Sequence, residues 1–126
     1  MPHLLIVEDY SLLGELLEAD LTEQGYSVTV VGDGTAAQRA LQNETFDAVI
    51  VDAVLPNGAS GLDVARIARE RGIPVLVTSG WPATIAKLSD EPYHFLQKPF
   101  HPAQLTEALL AVLPVTRDPE GLPERT

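Results

Sequence analysis

Five side chains with useful chemistry follow apolar runs of this sequence, at points where strands of a sheet would end. They are Glu8, Asp9, Asp52, Ser79 and Lys98. Three carboxylates that share one cleft repel one another unless a cation is present. An all-oxygen ligand set suits a hard divalent ion. The residue types therefore predict a Mg²⁺ site made by the three acidic residues.

A magnesium site of this kind can accept a phosphoryl group. The metal ion would neutralise the phosphoryl oxygens, and Lys98 and Ser79 would supply further donors. A carboxylate can then act as the nucleophile and form an acyl phosphate. Asp52 is the best candidate, because it ends the third and central apolar run, flanked by the other strand ends.

Apolar runs that alternate with helical patterns must position these side chains. The runs that predict strands are 3–7, 26–31, 48–51, 74–77 and 93–97. Helices are predicted near 11–24, 35–42, 62–71 and 102–113, with a short or irregular fourth helix between strands four and five. Continuous apolar strands alternating with helices predict an α/β fold, a doubly wound five-stranded parallel sheet. Ligands bind at the carboxyl ends of such strands, which brings the five side chains to one edge.

The first predicted helix is rich in leucine. We expect its leucines to recur on one apolar face; they are Leu12, Leu13, Leu16, Leu17 and Leu21. Residues 1–113 are expected to form one domain, because a chain of this length can bury a real core. Residues 114–126 contain three prolines without apolar periodicity, which predicts a disordered C-terminal tail and no output domain.

The composition excludes several classes of function. The 126 residues carry 8 basic and 18 acidic side chains, and the net charge of −10 disfavours nucleic acid as a partner. The absence of cysteine excludes disulfides and cysteine-based zinc or redox sites. No apolar run is long enough to cross a membrane, and no secretion signal is recognisable. We therefore expect a cytoplasmic protein that has no membrane partner.

Five segments of the sequence resemble, in order and spacing, the receiver domain of two-component response regulators of the chemotaxis-regulator type. The segments are LLIVED (4–9), DAVIVDAVLP (47–56), GLDV (61–64), IPVLVTSG (73–80) and FLQKPF (95–100). The resemblance implies a flavodoxin-like strand order, 2-1-3-4-5. It also implies a phosphorylation switch whose only chemistry is its own phosphorylation and dephosphorylation, rather than an enzyme.

The resemblance implies a role for each acidic residue. Asp52 would accept the phosphoryl group and bind Mg²⁺. Asp9 would bind the metal ion directly, and Glu8 directly or through water. The backbone carbonyl of Val54 would complete the protein ligands.

The resemblance also implies how the switch works. Ser79 would move to hydrogen-bond the phosphoryl group, Lys98 would pair with it, and Phe95 would occupy the aromatic switch position. The Lys98–Pro99 peptide bond is often cis in this family. One departure is the loop from Pro56 to Gly61, which is one residue longer than the family more often has, so we expect a local difference there.

The expected function is that of a single-domain response regulator. A sensor histidine kinase or a histidine phosphotransfer protein would donate the phosphoryl group, and an unknown downstream protein would receive the signal. One alternative is a receiver-like binding module that works without phosphorylation. Another is a flavodoxin-like enzyme module, which Glu8 and Asp9 disfavour because they stand where the phosphate of a flavin would bind.

Overall fold

The computed structural model describes residues 2–81 and 93–113. It contains five strands: β1 (His3–Val7), β2 (Ser27–Val31), β3 (Ala48–Asp52), β4 (Val75–Ser79) and β5 (His94–Gln97). Its helices are α1 (Ser11–Glu23), α2 (Gly34–Asn43), α3 (Gly61–Glu70) and α4 (Pro102–Val112). The five predicted strands and the helices predicted near 11–24, 35–42, 62–71 and 102–113 are confirmed to within a few residues.

The strands form one sheet in the order β2-β1-β3-β4-β5, and every neighbouring pair is parallel. This confirms the predicted α/β class and the strand order. Strand β3 is central and all five of its residues are buried. A strand in this position needs apolar residues on both faces, which explains why its sequence does not alternate with polar residues.

The sheet has a hydrophobic core on each face. Leu5 and Val7 point to the face that α2 and α3 cover, and Leu4 and Ile6 point to the face that α1 and α4 cover. Successive side chains of a strand alternate between faces, so each buried strand contributes to both cores. The two layers of helices hold the strand ends in fixed register.

The prediction of a single apolar face on α1 is wrong for two leucines. Leu17 and Leu21 are buried, but Leu12 and Leu16 are 51% and 59% exposed. Leu12 and Leu16 are four residues apart and form a row that is offset by one residue from Leu13 and Leu17. That offset turns the row about 100° around the helix axis, away from the sheet.

Two predictions fall on residues outside the described part of the chain. The short helix between β4 and β5 would lie at 82–92, and the C-terminal tail at 114–126. Within the described ranges, no helix has the length and apolar character needed to cross a membrane.

Candidate functional site

Strand register brings the site residues to one edge of the sheet. Val7 of β1 pairs with Val51 of β3, so the residues that follow them, Glu8 and Asp52, are neighbours. Ser79 at the end of β4 pairs with Gln97 of β5, and Lys98 comes next. The sequence placed these residues at the ends of separate strands, and the parallel pairing places them around one cleft.

Three carboxylates meet in this cleft. One ligand oxygen each from Glu8, Asp9 and Asp52 lie within 4.8 Å of one another. Glu8 and Asp52 are buried, whereas Asp9 is exposed to solvent. These hard oxygen ligands fit Mg²⁺, and the exposed carboxylate leaves an approach for a hydrated ion. The predicted acidic residues are therefore brought together.

The ammonium group of Lys98 lies between two of these acids. It donates a hydrogen bond to Asp52 Oδ2 at 2.7 Å and another to Glu8 Oε1. The side chains of Glu8, Asp52 and Lys98 are 4%, 11% and 20% exposed. One protein cation therefore partly offsets the negative charge of the cleft.

Burial and pairing change the proton affinity of Glu8 and Lys98. Burial raises the pKa of Glu8 above 4.5, although hydrogen bonds from Lys98 and from the Tyr10 N–H act in the opposite direction. Burial alone would lower the pKa of Lys98, but its hydrogen bonds to Asp52 and Glu8 outweigh that effect and raise it above 10.5. Lys98 is therefore a cation across the physiological pH range.

Each of three strand ends uses the same local hydrogen bond. The side chain at the strand end accepts from the backbone N–H two residues later. The pairs are Tyr10 N–H to Glu8 Oε2 at 3.1 Å, Val54 N–H to Asp52 Oδ1 at 3.0 Å and Trp81 N–H to Ser79 Oγ at 3.1 Å. These turns orient the carboxylate of Glu8, the predicted phosphoacceptor Asp52 and the predicted switch hydroxyl of Ser79 before any ligand binds.

The predicted switch residues have different surroundings. Ser79 is 1% exposed, and its carbonyl accepts the Lys98 N–H at 2.8 Å. Phe95 is partly buried against the core on the α2 and α3 face, three residues before Lys98. The Lys98–Pro99 peptide bond is cis. Sequence reasoning missed the Trp81 N–H as the partner of Ser79, although a serine just before a loop is a typical acceptor for such a turn.

The sequence and the fold match a known family. The family model of the response regulator receiver domain matches residues 4–110, and the chain belongs to that family of two-component signalling proteins. The DNA-binding response regulator MtrA of Mycolicibacterium paratuberculosis is 32% identical over 114 residues, 87% of this chain and 50% of that protein. The transcriptional activator protein PfeR of Pseudomonas aeruginosa is 38% identical over 128 residues, 94% of this chain and 41% of that protein. The chain spans half or less of these relatives.

Solved structures that resemble this chain are also receiver domains or response regulators. The response regulator TrrA of Thermotoga maritima, in complex with Mg²⁺-BeF, has a TM-score of 0.81 at 28% identity, covering 90% of this chain and 100% of that chain. The receiver domain of the sensor histidine kinase PA1611 of Pseudomonas aeruginosa has a TM-score of 0.78 at 29% identity, covering 88% and 96% of the two chains. The latter structure has a magnesium ion in its active site cleft.

Proposed function

We propose that this chain takes a phosphoryl group onto Asp52 and works as a phosphorylation switch. The observation that supports this most is the setting of the Asp52 carboxylate. One oxygen accepts from the Val54 N–H, the other accepts from Lys98, and two further carboxylates supply oxygens within 4.8 Å. A carboxylate held in this way is oriented by two donors and lies beside two further carboxylates that could help to hold a cation.

The metal ligands in this proposal are Glu8, Asp9, Asp52 and the backbone carbonyl of Val54. Bound Mg²⁺ would neutralise charge on the phosphoryl oxygens during transfer. The oxygen of Asp52 forms a bond to phosphorus while the bond from phosphorus to the histidine nitrogen of the donor breaks. The released nitrogen takes a proton from water. Asp52 thereby becomes an acyl phosphate.

Lys98 and Ser79 then respond to the new charge of about −1.5 to −2. Lys98 exchanges a carboxylate partner for a phosphoryl oxygen, which keeps its charge compensated. The hydroxyl of Ser79 lies 3.5 Å from the Trp81 carbonyl, at the limit of a hydrogen bond, so its proton is available to a stronger acceptor. Rotation of the Ser79 side chain toward the phosphoryl group takes its Oγ away from the Trp81 N–H, which loosens the turn that holds Trp81 and shifts a two-state equilibrium.

The partners in this proposal are proteins. A sensor histidine kinase or a histidine phosphotransfer protein donates the phosphoryl group, and a downstream protein reads the altered surface. The relatives named as DNA-binding are longer than this chain, and the net charge of −10 disfavours nucleic acid here. We also infer that this receiver domain works in the cytoplasm and acts on no separate substrate.

The exposed row of α1 gives the donor a place to bind. Leu12 and Leu16 are exposed, and the row begins with Leu12, three residues after Asp9 in the sequence. We expect Leu16→Ser to slow phosphotransfer from a protein donor while leaving the reaction with acetyl phosphate unchanged. Leu110→Ser is the matched control, because Leu110 is a leucine of similar exposure on α4. Equal slowing with both donors would contradict a docking role for this row.

The direct test is incubation with acetyl phosphate and Mg²⁺, followed by intact mass measurement. We expect one phosphoryl adduct, absent with EDTA and absent from Asp52→Asn. Asp47→Asn is the matched control, because Asp47 lies just before the opposite end of the same strand. A wild-type protein without an adduct, or an adduct that persists in Asp52→Asn, contradicts the proposal.

A further inference from the structure

The loop between β3 and α3 begins directly after Asp52 and ends close to the Asp52 backbone. Residues 53–60 leave the strand and return so closely that a Cβ on Gly61 would lie 1.9 Å from the Asp52 carbonyl oxygen. The Ala53 N–H is bonded to the Thr78 carbonyl at 2.9 Å at one end of the loop. At the other end, Ser60 Oγ accepts the Asp63 N–H at 3.1 Å. Both ends of the loop are therefore fixed.

The middle of this loop packs against the first residues of α2 with no side chain between the two backbones. A Cβ on Gly34 would lie 1.9 Å from the Ala59 carbonyl oxygen and less than 3 Å from two more of its backbone atoms. A Cβ on Gly58 would lie 2.2 Å from Thr35 Oγ1. Two adjacent residues of each segment thus interlock, and the glycines make this approach possible.

The interlocked residues of the loop lie at a turn of its backbone. Asn57 and Gly58 both have positive φ, at 48° and 76°, which turns the chain toward α2. The start of α2 is itself fixed, because Asp33 Oδ1 accepts the Ala36 N–H at 2.8 Å. The contact therefore joins a supported helix end to a loop whose two ends are anchored.

We propose that Gly34 is a positioning residue for the metal site. Any side chain at this position pushes the Ala59 backbone, and the anchored ends leave residues 54–59 to absorb the displacement. Val54 begins that stretch, and it carries both the N–H that orients Asp52 and the carbonyl assigned to the metal ion. This inference rests on the proposed function, since it assumes that the cleft binds Mg²⁺.

The test compares Gly34→Ala with Gly32→Ala by NMR titration with MgCl₂. Gly32 lies in the same turn, and a Cβ there would be 4.0 Å from its nearest neighbour, which is an ordinary contact. We expect Gly34→Ala to weaken Mg²⁺ binding about tenfold and to speed hydrogen exchange of the Val54 amide. We expect Gly32→Ala to match the wild type in both measurements.

The spectra also show whether each variant is folded, which separates positioning from stability. A folded Gly34→Ala variant with wild-type Mg²⁺ affinity overturns the inference even if it melts at a lower temperature. If the wild type binds no Mg²⁺ at all, the proposed function fails with it. If the wild type binds Mg²⁺ and only the effect of Gly34→Ala is missing, the role of Gly34 alone fails.

A second pair of variants approaches the contact from the loop, and it decides the question if Gly34→Ala does not fold. Gly58→Ala should also weaken Mg²⁺ binding, because its Cβ meets the Thr35 hydroxyl. Adding Thr35→Ala removes that hydroxyl and should restore part of the affinity. The backbone strain at position 58 is present in both the single and the double variant. The difference between their Mg²⁺ affinities therefore reports the contact between position 58 and the Thr35 hydroxyl. A double variant that binds no better than Gly58→Ala overturns the inference.

Discussion

On one side of Asp52, the loop to α3 is held by backbone packing, whereas on the other side the turn that follows β4 is closed by the Ser79 hydroxyl. A Cβ on Gly61 would meet the Asp52 backbone at 1.9 Å, but a Cβ on Gly80 would meet no atom of residues 2–81 or 93–113 within 4 Å. Ser79 Oγ accepts the Trp81 N–H at 3.1 Å, and the Trp81 side chain is 66% exposed.

The two sides of the site therefore differ in rigidity: the loop after β3 is suited to a fixed geometry, and the turn after β4 is suited to a change of conformation. Backbone packing can only be changed by moving the chain, so the β3 side suits the fixed geometry that a metal ion needs. A single hydrogen bond contributes about 1 kcal/mol, so the β4 side can be changed by one phosphoryl oxygen. Lys98 connects the two sides, because its backbone N–H donates to the Ser79 carbonyl at 2.8 Å and its ammonium group donates to Asp52 Oδ2 at 2.7 Å.

The largest effect is expected for Lys98→Met, which removes the group that connects the two sides. It leaves two buried carboxylates without their cation, and we expect metal-free stability to fall by about 3 kcal/mol in urea unfolding. Added Mg²⁺ should reduce the difference in stability between Lys98→Met and wild type, since it supplies the missing positive charge. Arg39→Met removes an exposed charge from α2 and should change little. A loss no larger for Lys98→Met than for Arg39→Met would contradict the assigned role.

The next effect compares the two sides directly. Gly61→Ala forces backbone atoms apart, and we expect a loss of about 2 kcal/mol in thermal or urea unfolding. Gly80→Ala meets no neighbour among the described residues, so we expect a change of less than about 0.5 kcal/mol. Similar losses from both substitutions would show that the two sides are packed equally, and the comparison would fail.

A smaller effect is expected from removing the Ser79 hydroxyl, which closes the turn after β4. Ser79→Ala should cost about 1 kcal/mol and should abolish the change in Trp81 fluorescence on phosphorylation. Ser60→Ala is the control, because it also removes a serine acceptor of a backbone N–H, at 3.1 Å, and should cost about as much. Only Ser79→Ala should lose the change in Trp81 fluorescence. If phosphorylation still changes the fluorescence of Ser79→Ala, Ser79 is not the switch residue.

The smallest effect is expected at alkaline pH. The pKa of Lys98 is raised above 10.5 in the folded protein by its carboxylate partners, so the folded state holds this proton more tightly than the unfolded chain. The stability that Lys98 contributes is therefore fully present below pH 10.5 and is lost as the pH rises through the raised pKa. The difference in the metal-free free energy of unfolding between wild type and Lys98→Met should shrink slightly once the pH passes 10.5, because the unfolded chain then releases this proton before the folded protein does. A constant difference would contradict the ion pairs.

Much of the fold was predictable from the sequence because apolar runs and helical periodicity are local. The ends of the runs at Asp52, Ser79 and Lys98 also marked the site, since parallel strands bring their carboxyl ends together. The exposure of Leu12 and Leu16 was not predictable, because the width of the contact between α1 and the sheet depends on the packed structure. The same holds for the approach of Gly34 to Ala59, which joins segments far apart in sequence.

The most direct test of the central claim traps the acyl phosphate chemically. Borohydride reduces an aspartyl phosphate to homoserine, and peptide mass mapping then identifies the residue. After incubation with acetyl phosphate and Mg²⁺, we predict homoserine at position 52 and at no other aspartate, with none formed when EDTA is present. Homoserine at Asp9 or elsewhere, or none in a protein that carries a phosphoryl adduct, would contradict the assignment of Asp52.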